Sequence, residues 1–380
     1  MIYFDYNATT PLDPDVREAM LPYLDGVFGN PASVHSTGRR ARAILDDARE
    51  RVATTLGAKP SEIIFTSGAT ESNNLAILGT ARRLKEKGRH LITSSIEHHA
   101  VLRPGEYLAN KEGFELTVLP VDSHGAVDAE DVRKAIRDDT ILVSIMAANN
   151  ETGTIQPSSE IGEICRENGV LYHSDAVHCF GKQPFDTIHQ FNADLVPICS
   201  HKFYGPKGAG ALFTKSPFYP DPIVHGGVQE NERRGGTENL AAIIGFTEAV
   251  ERFLRTPVFP ESKLRTMTDR LLDLVDRTED ATFRGHRTNR LCNTLAFSVA
   301  GADSIAMLAG LDMEGICASS GSACTSGSVT PSHVLQAMGV GDDDSSSLVR
   351  VSLGRETTHD EIATFEDKLP QVIDRIRSAG

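Results

Sequence analysis

Residues 140–176 read TILVSIMAANNETGTIQPSSEIGEICRENGVLYHSDA, and this stretch decides the fold class. The nearly continuous apolar run at 140–146 predicts a strand, the segment 159–168 predicts a helix, and the run at 170–173 predicts a second strand. Strands that are apolar on both faces and separated by helices are typical of a parallel sheet covered by helices. The stretch therefore predicts an α/β fold with a mostly parallel central sheet.

The same alternation extends toward the N-terminus. Further strands are predicted at 63–66, 91–93 and 116–119, and further helices at 71–87 and 128–137. These segments belong with residues 140–176 because they share the repeat of short apolar runs and longer amphipathic stretches. Together they indicate one large sheet domain.

The pattern changes near residue 257. Beyond it the predicted elements are a helix at 263–277, strands at 294–299 and 348–352, and a closing helix at 359–377. This mixture is typical of a smaller α+β domain. We expect a large domain at 15–255 and a small domain formed by 1–14 together with 256–380.

Composition narrows the class of protein. The chain has 380 residues, of which 40% are hydrophobic, and this suffices for a large buried core. Its net charge of −14 repels phosphate backbones, so we expect no direct contact with nucleic acid. The first residues lack a signal-peptide pattern, and no segment reaches the roughly 20 apolar residues of a membrane helix. We expect a cytoplasmic protein without a membrane segment.

One cysteine is unlike the others. The chain has six, none spaced C-x-x-C, so we expect no metal or iron–sulfur site. Five fit the ordinary role of small buried hydrophobes. Cys324 lies in the small polar run 318–328, ASSGSACTSGS, where a thiol can reach into a site and carry a group out. The alternative is a linker with an incidental cysteine, although an exposed thiol is a reactive liability.

Residues 65–71, FTSGATE, connect a predicted strand to a predicted helix. Small side chains let backbone N–H groups approach an anion, and a helix N-terminus adds positive potential. The segment is therefore a candidate phosphate cradle. An ordinary strand-to-helix turn explains the same residues.

Two charged residues come directly after predicted strands, where side chains face the crevice of an α/β sheet. Asp175 comes after the strand at 170–173 and can keep a cofactor ring nitrogen protonated, or it can simply cap a turn. Lys202 lies in the segment 200–208, SHKFYGPKG, beside an apolar run. A partly desolvated lysine can be uncharged and nucleophilic. The alternative, a surface lysine, fits Lys207 better.

These segments, with several further motifs, resemble the NifS/IscS family of cysteine desulfurases. The motifs are YFDYNATTP at 3–11, FGNPAS at 28–33, EHHAV at 97–101, ANNETG at 148–153 and RGGT at 234–237. The long loop around Cys324 resembles the NifS/IscS branch rather than the SufS-like branch. The resemblance implies the aspartate-aminotransferase fold, which is fold type I of the transferases that depend on pyridoxal 5'-phosphate (PLP).

The resemblance also implies an activity. Such an enzyme converts L-cysteine to L-alanine, leaves a persulfide on Cys324, and passes the sulfur to an acceptor protein for iron–sulfur cluster assembly or thiolation. It implies a homodimer. An aminotransferase needs no thiol, so Cys324 argues against that reading, and Lys202 with Cys324 argues against a non-enzymatic scaffold. A selenocysteine lyase stays open as an alternative.

The resemblance assigns roles around the cofactor. The PLP contacts that it implies are Ala69, Thr70, His98, Asn150, Asp175, His178, Ser200, His201, Lys202 and Thr237. Lys202 holds PLP and moves the substrate proton, Asp175 pairs with the ring nitrogen, and His98 stacks on the ring and acts as acid or base. Thr237 reaches the phosphate of the partner subunit.

The resemblance also implies the substrate contacts, and the chain departs from the family at two positions. Asn30 and Arg350 are implied to hold the substrate carboxylate, although Arg350 can instead pair with a structural acid and Asn30 can form a turn. His178 stands where the family usually has glutamine, and Cys199 where it commonly has serine. A neutral imidazole can replace the amide as donor. Because the ordinary pKa of an imidazole is about 6.5, the charge of His178 can change in the working pH range, and we expect His178→Gln to stay active with a changed acid limb of the pH–rate profile.

Overall fold

The computed structural model describes residues 1–321 and 331–379. Its strands are β1 (Ile2–Tyr3), β2 (Ile63–Thr66), β3 (His90–Ser94), β4 (Glu115–Leu119), β5 (Thr140–Ser144), β6 (Leu171–His173), β7 (Leu195–Cys199), β8 (Gly210–Thr214), β9 (Ala281–Arg284), β10 (Thr294–Val299), β11 (Ile316–Cys317) and β12 (Val349–Ser352). Its α-helices are α1 (Pro14–Leu24), α2 (Ser36–Leu56), α3 (Ala69–Asn74), α4 (Thr80–Leu84), α5 (His99–Lys111), α6 (Ala129–Ala135), α7 (Ser158–Glu167), α8 (Leu240–Phe253), α9 (Glu261–Arg277), α10 (Ser304–Met313), α11 (His333–Ala337), α12 (Asp342–Ser346) and α13 (His359–Ala379).

Seven strands form the central sheet, in the order β2-β8-β7-β6-β5-β3-β4. β8 runs antiparallel to both of its neighbours, and the other neighbouring strands pair in parallel. Every residue of β3, β5, β7 and β8 is buried, which explains why their sequences are not alternating. The predicted α/β class with a mostly parallel sheet is confirmed.

The helix predicted at 71–87 is real but starts earlier. It begins at Ala69, passes through the π-helical segment Leu75–Gly79, and ends at Leu84. Gly68 directly before it has φ 148°, a backbone conformation that favours glycine. A π-helical segment inside an α-helix frequently marks a functional site.

Helices α1, α2 and α8 were not predicted from the sequence, and α1 and α2 each pack against α8. The N-terminus of α1 is capped by Asp13, whose carboxylate accepts from the N–H groups of Asp15 and Val16. α8 is buried around most of its circumference, so it lacks the one-sided apolar pattern of a surface helix. Among the described helices, none combines the length and apolar character needed to cross a membrane.

The C-terminal part contains an antiparallel sheet in the order β12-β10-β9. β1 pairs in parallel with β11, and Asp5 bridges to Ser352 next to the C-terminal sheet. The first residues of the chain therefore contact the C-terminal part, as expected for a discontinuous small domain. The division at residues 14/15 and 255/256 stays a prediction.

Candidate active site

The carboxyl ends of β2, β3, β6 and β7 surround a cavity of about 460 Å³. The polypeptide reverses direction there after each strand, so polar side chains converge at one edge of the sheet. Predicted site residues that line this cavity are Ala69, Thr70, His98, Asp175, His178, His201 and Lys202.

A second cavity of about 210 Å³ adjoins the first. Its lining includes Asn150 and Arg350. His98, His178 and Lys202 line both cavities. The two spaces are therefore halves of one site, with these three side chains at the boundary.

Lys202 lies at this boundary in a turn directly after β7. Its Nζ donates to the carbonyl oxygens of Asn7 at 2.7 Å and Ala8 at 2.9 Å. Burial of the amine is the largest influence and lowers the pKa of Lys202 to about 8, although the nearby acids Cys199 and Asp175 oppose the shift. A lysine with a pKa this low readily loses its proton, and the free amine can then attack a carbonyl carbon.

Asp175 lies just beyond β6 and is buried. One carboxylate oxygen accepts from Asn73 Nδ2 at 2.8 Å, and the other accepts from the backbone N–H of Val177 at 3.1 Å. These bonds hold a carboxylate toward the cavity that also contains Lys202. Asn73 was not predicted from the sequence, although its position one helical turn after Thr70 was a usable signal.

His98 is the N-cap of α5, and its ring is exposed in the cavity. Its Nδ1 accepts from the backbone N–H of Ala100 at 3.0 Å, so the neutral ring carries its proton on Nε2. Desolvation within the concave site lowers the pKa of His98, and Lys202 lowers it further, while Asp175 raises it. The neighbouring His99 stacks instead on His333, with ring centroids 4.8 Å apart.

His178 is buried behind the boundary of the two cavities. Its Nδ1 lies 3.2 Å from the Nζ of Lys182, a residue that the sequence did not single out. Burial, and then the charges of Lys182 and Lys202, hold the pKa of His178 well below its ordinary value. The expectation that His178 changes charge in the working pH range is therefore wrong, because the ring is desolvated among cations.

The segment that the sequence predicts to hold a phosphate lies at the wall of the first cavity. Ala69 and Thr70 line the cavity after Gly68. His201 also lines it, and desolvation lowers the pKa of His201 to about 4, so its ring is neutral. Ser200 is fully buried, does not line the cavity, and packs so closely on Gly205 that a Cβ there would lie 1.9 Å from its Oγ.

Cys199 rather than Ser200 therefore faces the cavity at the phosphate end. Burial raises the pKa of the Cys199 thiol above its ordinary value. The side chain is accordingly a neutral thiol, which can give an anion only a weak S–H donor. Backbone N–H groups and His201 are left as the stronger donors.

Arg350 lines the second cavity and also pairs with an acid. Its Nη2 lies 2.9 Å from Asp5 Oδ1, and its Nη1 donates to the carbonyl oxygen of Asn150 at 3.1 Å. The Nε is buried and finds no partner among residues 1–321 and 331–379. Arg350 thus pairs with a structural acid and also faces the cavity, and its contact with the substrate carboxylate stays a prediction.

Two further predicted residues, Asn30 and Thr237, line neither of these cavities. Asn30 is exposed on a turn, where its Oδ1 accepts from the N–H of Ala32 at 2.9 Å, and it lines neither cavity. Thr237 lines a separate cavity of about 190 Å³, together with Glu230 and Arg234. Cys324 lies outside the described residues.

The residues at the site fit PLP. A buried carboxylate, a histidine ring, a lysine amine and a glycine-led helix start surround one cavity, and each matches one chemical feature of the cofactor. Asn73 supports the fit, because its Oδ1 is buried without a hydrogen-bond partner in the described chain while its Nδ2 fixes Asp175.

Comparisons with known proteins agree with this geometry. The family described as "Aminotransferase class-V" matches residues 2–365. "Cysteine desulfurase IscS" of Dictyoglomus turgidum is 46% identical over 99% of this chain and 95% of its own, and that of Methanosarcina thermophila is 45% identical over 99% and 93%. A solved "NIFS-LIKE PROTEIN" aligns with a TM-score of 0.91 at 36% identity, covering 98% of this chain and 99% of its own. A structure described as "SspA in complex with cysteine" has a TM-score of 0.82 at 36% identity, covering 94% of this chain and 100% of its own.

The chain belongs to the class-V aminotransferase family, and it is a PLP-dependent enzyme. Within that family it is a cysteine desulfurase of the IscS/NifS type. The resemblance read from the sequence motifs is thereby confirmed.

Proposed function

We propose that this cysteine desulfurase converts L-cysteine to L-alanine with Lys202 and Arg350 at its site and with Cys324 as the persulfide carrier. The observation that carries the assignment of roles is the position of Lys202. Its amine, with a pKa lowered to about 8, lies at the boundary between the cavity of Asp175 and the cavity of Arg350. A group at this place can reach a cofactor on one side and a substrate on the other.

The first cavity would hold PLP. Lys202 would bind it covalently, Asp175 would pair with its ring nitrogen, and His98 would lie against its ring. Ala69, Thr70 and His201 would hold its phosphate. When bound there, PLP supplies an electron sink for a carbanion beside its ring.

The second cavity would hold the substrate carboxylate. Arg350 has a buried Nε free of partners in the described chain, and a guanidinium suits a carboxylate. The Nζ of Lys202 would take the α-proton of cysteine, and its lowered pKa suits proton transfer near neutral pH. The Cys324 thiolate would bond to the substrate sulfur as the carbon–sulfur bond breaks. The electron pair of that bond would stay with the carbon, which takes up a proton and becomes the methyl group of alanine.

We also propose a homodimer and an acceptor protein for the sulfur. Thr237 does not line the Lys202 cavity of its own chain, which suits a residue that acts across a dimer. Iron–sulfur cluster assembly and thiolation pathways both consume sulfur of this kind. We place the enzyme in the cytoplasm, where thiols stay reduced, because the cysteines described in the structure are unpaired.

The test of the proposed function uses Cys324→Ala. This variant should keep its visible cofactor absorption and respond spectrally to L-cysteine, yet release almost no sulfide and alanine. Cys317→Ala is the matched control, because Cys317 lies in the same part of the chain and burial raises the pKa of its thiol. A dead Cys317→Ala with cofactor bound, or an active Cys324→Ala, would refute the assignment.

A further inference from the structure

Lys182 is a buried lysine that the proposed mechanism does not use. It is 2% exposed. Its Nζ lies 2.7 Å from Asn7 Oδ1, 3.2 Å from His178 Nδ1, and 5.2 Å from the centre of the Phe259 ring. Among the residues described, no carboxylate forms an ion pair with it. Burial of a lysine without an ion pair costs free energy, so the neighbours of Lys182 must explain why it is there.

The orientation of Asn7 is fixed by its other partners. Its Nδ2 donates to Thr294 Oγ1 at 2.9 Å and to the carbonyl oxygen of Asn150 at 3.2 Å. Its Oδ1 also accepts from Asn293 Nδ2 at 3.2 Å. The flipped amide would set N–H groups against two donors, so the oxygen faces Lys182.

The Lys182 amine thus lies within hydrogen-bond distance of two groups, Asn7 Oδ1 and His178 Nδ1. An ammonium group carries three donors and no lone pair, so it can only donate. As an ammonium group, Lys182 therefore donates both to Asn7 and to Nδ1 of His178. A neutral ring whose Nδ1 accepts carries its hydrogen on Nε2.

We propose that Lys182 is a positioning residue that holds His178 in the Nε2–H tautomer, so that His178 offers the cofactor a hydrogen-bond donor. This inference rests on the proposed function. His178 lines both halves of the site, and Lys182 lines neither, so Lys182 acts through the histidine.

A histidine at position 178, unlike a glutamine, needs a neighbour that fixes its tautomer. A glutamine amide always presents N–H groups and has no tautomer to choose. A neutral imidazole has one N–H, and the wrong tautomer would present a lone pair instead. Because burial and neighbouring cations hold the pKa of His178 well below its ordinary value, protonation of both nitrogens does not remove the choice.

The direct test is nuclear magnetic resonance of the holoenzyme labelled with ¹⁵N-histidine. The His178 signals are assigned by their loss in His178→Gln. Wild type should show Nδ1 with the shift of an unprotonated nitrogen and Nε2 with that of a protonated one. In Lys182→Met, which keeps the length of the side chain without its donors, the two tautomers should mix. Protonated Nδ1 in wild type would overturn the inference.

A second readout separates the tautomer from the charge of Lys182. We would titrate the visible absorption of the bound cofactor in wild type, Lys182→Met, His178→Gln and the double variant. Lys182→Met should raise the apparent pKa by about half a unit to one unit more where His178 is present than in the His178→Gln background, because only there does it also cost the cofactor a hydrogen-bond donor. Equal shifts in the two backgrounds would overturn the inference.

Different results contradict the proposed function and the role of Lys182. An enzyme that binds no PLP or releases no sulfide from cysteine contradicts the proposed function. An active wild-type enzyme with His178 protonated on Nδ1 contradicts only the role of Lys182. If Lys182→Met does not fold, the wild-type spectrum alone still decides.

Discussion

Lys202 and Lys182 are both desolvated, but their surroundings differ. Lys202 donates to two main-chain carbonyls and lines both cavities, and its pKa is lowered to about 8. Lys182 donates to an amide and an imidazole behind the site, and its pKa is lowered to about 7. Burial is the largest cause in both cases. A low pKa therefore does not identify the catalytic lysine, and access to the cavity does.

The largest expected effect separates the two lysines by activity. Lys202→Ala should lose more than about 10³-fold in the turnover of L-cysteine, because it removes both the nucleophile and the proton carrier. Lys182→Met should lose about tenfold, as expected for one hydrogen bond that acts indirectly. Measurement of alanine formation checks both. Comparable losses of turnover in the two variants would contradict the distinction between a catalytic Lys202 and a positioning Lys182.

An intermediate effect is expected at Arg350, whose charge lowers the pKa of both lysines. Arg350→Gln should raise the KM for L-cysteine at least about tenfold, since a charged hydrogen bond contributes roughly 1.5–3 kcal/mol. Steady-state kinetics measures this. Asp5→Asn is the control, because it removes the structural partner and leaves the guanidinium. An equal rise of KM in Asp5→Asn would mean that Arg350 only supports the fold.

The last expected effect concerns stability and sharpens the description of Lys182. An unfolded lysine keeps its proton up to about pH 10.4, whereas folded Lys182 releases it near pH 7. Between these values the unfolded state binds more protons, so rising pH stabilises the folded state. The free energy of unfolding of the holoenzyme, relative to Lys182→Met, should therefore rise from pH 7 to pH 9 by up to about 1.4 kcal/mol per pH unit.

Denaturant unfolding at several pH values measures this difference. The titratable and charged groups around the amine are His178, Cys179, Lys202, Cys292 and Arg350. These groups are present in both wild type and Lys182→Met, so most of their own titration cancels in the difference between the two free energies of unfolding. Replacement of an exposed lysine, Lys111→Met, is the matched control. A flat or falling difference for Lys182→Met would show that its amine is charged throughout.

Residues that come directly after a strand and belong to a motif could be located from the sequence. Asp175 and Lys202 were found in this way, because the carboxyl edge of a parallel sheet collects such residues, whereas His98 came only from the resemblance of its motif. Lys182 was not found, because its partner Asn7 is 175 residues away and nothing local signals the contact. The low pKa of His178 was missed for the same reason, since its cause is burial beside that lysine.

Two other predictions show where local sequence is insufficient. Asn30 was assigned to the substrate by its motif, yet the Asn30 side chain bonds to its own turn. Ser200 was assigned to the phosphate through the resemblance, because it adjoins the position where the family commonly has serine, yet Cys199 and not Ser200 lines the cavity. The role of Cys324 stays a prediction, as it lies outside residues 1–321 and 331–379.

The central claim is that Lys202, and not another buried lysine, carries the cofactor. Reduction of the purified holoenzyme with borohydride, followed by digestion and mass spectrometry, tests it most directly. We expect one modified peptide, with the phosphopyridoxyl group on the Nζ of Lys202. Modification of Lys182 or Lys207, or a colourless protein with no modified peptide after supply of PLP, would contradict the claim.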